Sequence, residues 1–132
     1  MKNYLQVSGC PCGRNHNVAI DEVVVGSGVI HRIPDFVKKY HCVRPFILSD
    51  VNTFTAAGSK VCAVLDEASI PYSRYVFPQT TLKPDEHAVG AAVMHFDPKC
   101  DLIIGVGSGV INDIGKILSN VSGRKYIIVG TA

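Results

Sequence analysis

Long apolar runs are missing from this 132-residue sequence, and so is any marked excess of charge. No segment approaches the roughly 20 apolar residues that a helix needs to cross a bilayer, and Met1–Tyr4 lacks the hydrophobic stretch of a secretory signal. The 13 Lys and Arg residues are scattered, and the formal net charge is only +2. This balance gives no electrostatic reason to expect a nucleic acid or a membrane as a partner. We therefore expect a cytoplasmic protein.

An even number of cysteines, as expected of a chain held together by disulfides, is missing as well, since the sequence contains five. A chain of this length with 47% hydrophobic residues can bury a core of its own, so it does not depend on disulfides to fold. Free thiols in a reducing compartment fit this count best. Cys42, Cys62 and Cys100 sit among apolar residues, where cysteine usually acts as a small hydrophobe.

The sequence does contain short β-branched runs that alternate with longer amphipathic segments. This pattern predicts an α/β fold in which helices cover a parallel sheet. Right-handed crossovers then imply a Rossmann-like, doubly wound domain that binds ligands at the carboxyl ends of its strands. Strands are predicted near residues 22–25, 45–48, 75–77, 102–104 and 126–129.

Four helices are predicted between these strands, over residues 34–41, 53–68, 84–96 and 110–121. Pro34 suits a first helical position, whereas Gly58 weakens the middle of the second helix. Asp97-Pro98 ends the third helix, and Ser122-Gly123 ends the fourth. Helical spacing predicts that the inward side chains are Val89, Ala92, Val93 and Phe96 in the third helix and Val110, Ile111, Ile114, Ile117, Leu118 and Val121 in the fourth.

The most informative segment is the turn after the fourth predicted strand, where Gly105, Gly107 and Gly109 fall within five residues. Glycines let the backbone approach a ligand closely, and the first turn of a helix offers unpaired N–H groups and a partial positive charge, which suit a pyrophosphate. Ser108 adds a hydroxyl donor. The alternative is a strand-to-helix turn that merely needs positive φ angles, and we favour the phosphate interpretation.

Two common phosphate-binding loops are excluded by spacing. The Gly-x-Gly-x-x-Gly fingerprint fails because residue 110 is valine, and because the glycines follow the fourth predicted strand where that fingerprint follows the first. A nucleoside triphosphatase loop fails because five residues, rather than four, separate Gly109 from Gly115-Lys116. Ile117 also replaces the Ser or Thr that would hold magnesium.

Cys10, Cys12 and His16 place two soft ligands and an imidazole within seven residues. They could hold a zinc ion if a fourth ligand came from elsewhere. No second pair completes such a site, and three ligands alone are weaker evidence than paired Cys-x-x-Cys units. We therefore favour a structural terminal loop over a metal site.

The segment from Gly105 through Lys116 resembles the Gly-Gly-Gly-Ser-x-x-Asp-x-x-Lys type segment of the iron-containing alcohol dehydrogenase and dehydroquinate synthase superfamily. The Asn112-Asp113 pair and the early Cys10-x-Cys12-Gly13 segment are similar to the bacterial members of its glycerol-1-phosphate dehydrogenase branch. The resemblance covers nearly the whole chain. Further matching segments, in the same order, are residues 50–54 with Ala57-Gly58, 82–90 and 130–132.

The resemblance implies that residues 1–132 are the NAD(P)-binding domain of a larger enzyme. The roles that it implies are pyrophosphate binding by Gly107, Ser108 and Gly109, contact with the nicotinamide end by Asn112 and Asp113, and contact with the adenine side by Thr131. As an alternative, Asp113 and Lys116 could form a solvated i, i+3 ion pair. We keep a functional role for Asp113 and a structural one for Lys116.

Asp50 lies at the carboxyl end of the second predicted strand, where it can accept hydrogen bonds from a ribose. Its charge would oppose a 2′-phosphate, which favours NAD, although the resemblance also allows NADP. The alternative is that Asp50 simply caps the helix that follows. We place the ribose role first.

The chemistry that the resemblance implies is hydride transfer between a secondary alcohol and nicotinamide, with the alcohol oxygen polarised by a divalent metal such as zinc, nickel or iron. The metal ligands, an aspartate and two histidines, would belong to a helical catalytic domain that follows residues 130–132. We therefore expect this chain alone to be inactive. The expected reaction of the whole enzyme converts dihydroxyacetone phosphate to sn-glycerol 1-phosphate, and the resemblance allows a homo-oligomer.

Three alternatives stay open at this stage. One is a domain of a glycerol dehydrogenase or a dehydroquinate synthase. Another is a standalone nucleotide-binding module, and the third is a metal-binding terminal module built on Cys10.

Overall fold

Four of the five predicted strands form, and all four pair in parallel in one sheet. The computed structural model describes residues 9–16 and 18–131. The strands are β1 (Pro45–Asp50), β2 (Ser73–Phe77), β3 (Leu102–Gly107) and β4 (Lys125–Gly130). The helical elements are a 3-10 turn (Val29–Arg32), α1 (Ile33–Lys39), α2 (Val51–Thr53), a π-helical segment (Phe54–Gly58), α3 (Ser59–Glu67), α4 (Glu86–His95) and α5 (Gly109–Ser122).

The strand predicted over residues 22–25 was wrong, because this segment is irregular chain. Val23 and Val25 are 60% and 90% exposed, so the side chains of these two valines are not packed in a core. Glu22 is tied instead to α1, where it accepts hydrogen bonds from Lys39 Nζ (2.7 Å) and from the Tyr40 hydroxyl (3.0 Å). A β-branched run becomes a strand only where a neighbouring strand and a buried face receive it. The glycine-rich turn consequently follows the third strand.

The strand order β2-β1-β3-β4 confirms the doubly wound prediction. The chain moves from β1 to β2 on one side of the sheet and then returns to β3 and β4 on the other side of β1. One buried cluster joins α1 and α3 to Ile47, Ile104 and Val106, and a second joins α4 and α5 to Phe46, Leu48 and Ile103. Because neighbouring residues of a strand face opposite sides, these clusters are the two helix-covered faces.

The third and fourth helices bury narrower stripes than the spacing predicted. In α4, Ala88 and Ala92 are buried, whereas Val93 is 45% exposed, so its predicted inward position was wrong. In α5, the buried residues are Ile111, Ile114, Gly115 and Leu118. Ile117 and Val121 are 42% and 67% exposed. They lie about a quarter turn from the buried face, beyond the reach of the sheet.

The second predicted helix forms with two changes. It begins at Val51, two residues before the predicted start, because Asp50 caps it. A π-helical segment, Phe54–Gly58, interrupts it. No helix in the part of the chain that the structure describes combines the length and apolar character required to cross a membrane.

Candidate functional site

The predicted binding residues that end or follow strands lie along one edge of the sheet. Asp50 ends β1 and Gly107 ends β3, and Gly107 is in register with Gly130 at the end of β4. The Thr131 amide donates to the Gly107 carbonyl over 3.2 Å, which holds Thr131 beside the glycine turn. The order of the strands reverses between β1 and β3, so this edge contains the crevice where doubly wound sheets bind their ligands.

The start of α5 presents donors to this crevice. Ser108 is the N-cap residue, but its side chain makes no capping hydrogen bond. The first helical bond runs from the Asn112 amide to the Ser108 carbonyl over 2.9 Å. The amides of Gly109, Val110 and Ile111 therefore have no acceptor within the helix. Ser108 and Gly109 are exposed, so a positive helix end is open to an anion.

The three glycines of the turn differ in what a side chain at each position would contact. None of them has a positive φ, so the alternative of a turn that only needs positive φ angles does not hold. A Cβ at Gly107 would lie 2.6 Å from the Ile111 Cβ, and one at Gly105 would lie 2.7 Å from the Tyr126 hydroxyl oxygen. Those two glycines permit close packing. A Cβ at Gly109 would meet nothing within 4 Å, so neither packing nor backbone conformation accounts for Gly109.

Asp50 caps the helix that follows it. Its Oδ1 accepts from the Asn52 amide (2.9 Å) and from the Thr53 amide (2.8 Å), and the Thr53 hydroxyl accepts from the Asp50 amide (3.0 Å). This reciprocal capping box is the alternative role that the sequence offered for Asp50. Within the described chain no hydrogen bond to Oδ2 is present, so the cap uses one carboxylate oxygen and leaves the other available.

Asn112 is half-buried and tied to the sheet. The Tyr126 hydroxyl donates to Asn112 Oδ1 over 3.2 Å. Burial beneath α5 raises the pKa of Tyr126, and the negative charge of Asp113 raises it further. Tyr126 therefore keeps its proton and stays a donor, which orients the Asn112 amide towards β4.

Asp113 is exposed on the second turn of α5. The ion pairs of the described residues are Lys39–Glu22 and Arg44–Asp97, so Asp113 and Lys116 do not form the pair that their spacing allowed. Asp113 is left free to meet a ligand or solvent.

Neither the contact of Tyr126 with α5 nor that of Asn52 with the loop after β2 was anticipated from the sequence. A glycine on the buried stripe of a helix, Gly115, is a signal for a bulky neighbour, and a Cβ there would lie 2.6 Å from the Tyr126 hydroxyl oxygen. The loop is tied to α2 because the Asn52 side chain donates to the Thr80 carbonyl over 3.1 Å. No local pattern announces that bond.

A cavity of about 170 Å³ lies between the loop after β2 and the start of α4. None of its lining residues is a predicted dinucleotide contact, so it offers a competing place for a ligand. The lining residues are Gln79, Thr81, Leu82, Lys83, Asp85, His87 and Ala88.

Two other features of the sequence do not belong to the crevice as described. Cys10, Cys12 and His16 belong to the loop near the N-terminus, and their donor atoms lie within 4.8 Å of one another. Ala132, the last residue of the matched 130–132 segment, falls outside the described residues.

Comparison with known proteins matches residues 24–132 to the family described as iron-containing alcohol dehydrogenase. A protein of Halalkalibacterium halodurans named glycerol-1-phosphate dehydrogenase [NAD(P)+] is 30% identical over 129 residues, which are 95% of this chain and 32% of the relative. A protein of the same name from Geobacillus stearothermophilus is 29% identical over 93% of this chain and 31% of its own length. The chain thus spans about a third of the length of these relatives.

Solved structures show the same fold at lower sequence identity. Glycerol dehydrogenase from Schizosaccharomyces pombe superposes with a TM-score of 0.68 at 20% identity, over 77% of this chain and 25% of its own. Alcohol dehydrogenase from Oenococcus oeni gives a TM-score of 0.66 at 22% identity, over 83% of this chain and 34% of its own. In both, the likeness is confined to a part of the larger chain.

Proposed function

This chain belongs to the iron-containing alcohol dehydrogenase family, and we propose that it is the dinucleotide-binding domain of an NAD(P)-dependent sn-glycerol-1-phosphate dehydrogenase. The observation that carries the proposal is the exposed start of α5, which has no side-chain cap and where Gly109 leaves open space. A cofactor phosphate beside Gly109 would occupy the space that a side chain would otherwise take.

The pyrophosphate would be held mainly by the backbone. The amides of Gly109, Val110 and Ile111 point out of the first turn of α5, and they carry its partial positive charge. The exposed Ser108 hydroxyl can add a further hydrogen bond. Gly107 lets β3 pass directly beneath Ile111, and this close packing sets where the helix begins relative to the strand.

The two ends of the cofactor would lie on either side of this turn. Asp50 would use Oδ2 to accept from a ribose hydroxyl while Oδ1 continues to cap α2. Its negative charge would oppose a 2′-phosphate, so we propose NAD as the preferred form. Thr131 would line the adenine side, and Asn112 and Asp113 would lie towards the nicotinamide.

The family's divalent metal does not fit the residues that the structure describes. Among residues 9–16 and 18–131, the one group of three metal-type donors is Cys10, Cys12 and His16, which is not the aspartate and two histidines that the resemblance implies. We therefore propose that zinc, nickel or iron is held by a helical catalytic domain outside residues 1–132, where it would polarise the alcohol oxygen. The chain alone should bind the dinucleotide and be inactive.

The relatives from Halalkalibacterium halodurans and Geobacillus stearothermophilus are both named glycerol-1-phosphate dehydrogenase [NAD(P)+]. We propose that the whole enzyme reduces dihydroxyacetone phosphate to sn-glycerol 1-phosphate, and, as a further expectation from the sequence, that it does so in the cytoplasm as a step of phospholipid metabolism. The test is a chimera in which this chain replaces the matching segment of the Halalkalibacterium halodurans protein. We expect NADH oxidation that depends on dihydroxyacetone phosphate and that falls at least about tenfold with Gly109→Val, because the branched side chain displaces the phosphate. A folded chimera that oxidises glycerol but does not reduce dihydroxyacetone phosphate would refute the assignment. So would a folded chimera whose activity does not require NADH or NADPH.

Binding by the isolated chain is tested separately by calorimetry with NADH, NADPH and ADP. We expect NADH to bind more tightly than ADP, since the nicotinamide half adds contacts at Asn112 and Asp113. Equal affinity for NADH and ADP would instead favour a standalone nucleotide module.

A further inference from the structure

The loop near the N-terminus forms a tight turn that brings two thiols together. The Gly13 amide donates to the Cys10 carbonyl over 3.0 Å, which closes a β-turn over residues 10–13. Pro11 takes the second position of the turn, where its fixed φ suits the backbone, and Gly13 adopts a φ of 70° that favours glycine. Cys10 and Cys12 therefore lie on either side of a rigid proline.

A histidine completes the group. The Cys12 Sγ lies 3.1 Å from the Cys10 Sγ and 2.8 Å from His16 Nε2. All three donor atoms lie within 4.8 Å of one another. The cysteines are free thiols, and the sulfur separation is well beyond the roughly 2.05 Å of a disulfide.

These distances are slightly shorter than those between the ligand atoms of a zinc ion. Tetrahedral zinc with Zn–S bonds of about 2.3 Å and Zn–N bonds of about 2.05 Å holds its ligand atoms roughly 3.6–3.8 Å apart. The Cys12 sulfur would therefore need to lie about 0.7 Å further from the Cys10 sulfur and from His16 Nε2 to admit the ion. The donor atoms of Cys10 and His16 already lie within 4.8 Å of each other. A change of that size requires small side-chain rotations within the loop.

The hydrophobic core gives no reason for this convergence. Cys12 and His16 are exposed and Cys10 is half-buried, whereas Cys42, Cys62 and Cys100 pack in the buried clusters as the sequence predicted. Contacts between exposed thiols and an imidazole contribute little in water, because the S–H group is a weak donor. The donor set, two sulfurs and one nitrogen, is the one that zinc selects.

We propose that Cys10, Cys12 and His16 form a zinc site, distinct from the metal of the alcohol dehydrogenase reaction. The three ligands leave a fourth position for water or for one further donor. The site would fix the loop of residues 10–16. It does not depend on the dinucleotide proposal, because none of its ligands belongs to the crevice at the start of α5.

The test uses the tag-free 132-residue chain, reduced with a phosphine and loaded with Zn²⁺ or Co²⁺. We expect one metal ion per chain by elemental analysis, and visible absorption of tetrahedral Co²⁺ with thiolate charge-transfer bands. Cys10→Ser, Cys12→Ser and His16→Ala should each weaken Zn²⁺ binding at least about 100-fold, because loss of even an outer partner of a metal ligand costs roughly 10- to 100-fold. Competition with a chromophoric chelator measures this change.

The matched control is His41→Asn, which removes another exposed loop histidine; its φ of 58° is one that asparagine tolerates. It should keep the wild-type Zn²⁺ affinity. Circular dichroism should show that all four variants fold, since the loop lies outside both buried clusters. Sub-stoichiometric metal in the reduced wild type, affinity unchanged in the three loop variants, or equal loss with His41→Asn would overturn the proposal.

Discussion

Gly107 and Gly109 are two residues apart, yet the absence of a side chain has a different cause at each. A Cβ at Gly107 would press on Ile111, whereas a Cβ at Gly109 would point into open space. The first glycine belongs to the fold and the second to the proposed site. Substitution by alanine should therefore separate stability from binding.

We expect Gly107→Ala to lower the free energy of unfolding by about 1–3 kcal/mol, the usual cost of overpacking. Gly109→Ala should change it by less than about 1 kcal/mol, but should weaken NADH binding about tenfold, or roughly 1.4 kcal/mol. Urea denaturation and calorimetry of both variants measure the two effects. If Gly109→Ala bound NADH as tightly as the wild type does, the phosphate would lie elsewhere.

Asp50 has a cap that the structure shows and a ribose contact that we propose, and two variants distinguish them. Asp50→Ala should lower the free energy of unfolding by about 0.5–2 kcal/mol, because it removes the cap. Asp50→Asn should nearly preserve stability, since asparagine caps as well as aspartate does, but removal of the charge should raise the affinity for NADPH relative to NADH. An unchanged ratio of these affinities in Asp50→Asn would leave Asp50 with the cap alone.

Tyr126 gives a prediction in alkaline solution. Because burial raises its pKa in the folded state, the unfolded chain releases the proton first, near an ordinary pKa of about 10. The resulting stabilisation is fully present below about pH 10 and is lost as the pH rises further. Tyr126→Phe should therefore lose stability less steeply than the wild type between about pH 9 and 11, as urea denaturation at each pH would show. Identical slopes would mean that Tyr126 titrates as it does in water.

At the scale of elements, the π-helical segment Phe54–Gly58 ends at a glycine that packs against a ring. The sequence marked Gly58 only as a residue of low helix propensity. A Cβ at Gly58 would lie 2.8 Å from the Phe54 ring, whereas one at Gly90, in the middle of α4, would meet nothing within 4 Å. Gly58 accommodates the ring of a residue one turn earlier. Gly90 has no such neighbour and provides a matched control.

We expect Gly58→Ala to destabilise the chain by about 1–3 kcal/mol through overpacking. Gly90→Ala should stabilise it by up to about 1 kcal/mol, because alanine favours helix over glycine. Chemical denaturation of the two variants compares them directly. Equal stabilisation by both would show that the Phe54 ring moves away at no cost.

The sequence located the four strands that find a parallel partner in the sheet. β1 and β3 are central strands with continuous apolar runs. They begin at the predicted residues, but they extend two and three residues beyond the predicted ends. Residues 22–25 carry the same β-branched chemistry but find no strand to pair with. Likewise, the spacing identified the stripe of α5 but not its width, because exposure of Ile117 and Val121 depends on where the sheet ends.

The candidate site also has features that the sequence could predict and features that it could not. The glycine turn and Asp50 could be predicted because they adjoin recognisable strand ends. The bond from Tyr126 to Asn112 joins positions 14 residues apart across a helix and a strand, and no local pattern encodes it. The sequence offered Cys10, Cys12 and His16 as possible zinc ligands but favoured a structural loop, because only the turn at Gly13 shows that their donor atoms come together.

At the scale of the whole molecule, the order of the strands explains why one edge collects the proposed binding residues. Reversal between β1 and β3 places helices on opposite faces at that edge, so that α2 and α5 both begin beside the crevice. One start is capped by Asp50 and the other has no side-chain cap. Because of this difference, we propose that the sugar lies at the first start and the phosphates at the second.

The central claim is that the uncapped start of α5 binds the pyrophosphate of a dinucleotide. The most direct measurement is an amide NMR titration of the 15N-labelled chain with NADH. We expect the largest shifts at the amides of Gly109, Val110 and Ile111, with smaller shifts at Asp50 and Thr131. Shifts confined to the cavity lined by residues 79–88, or no shifts at saturating NADH, would contradict the account.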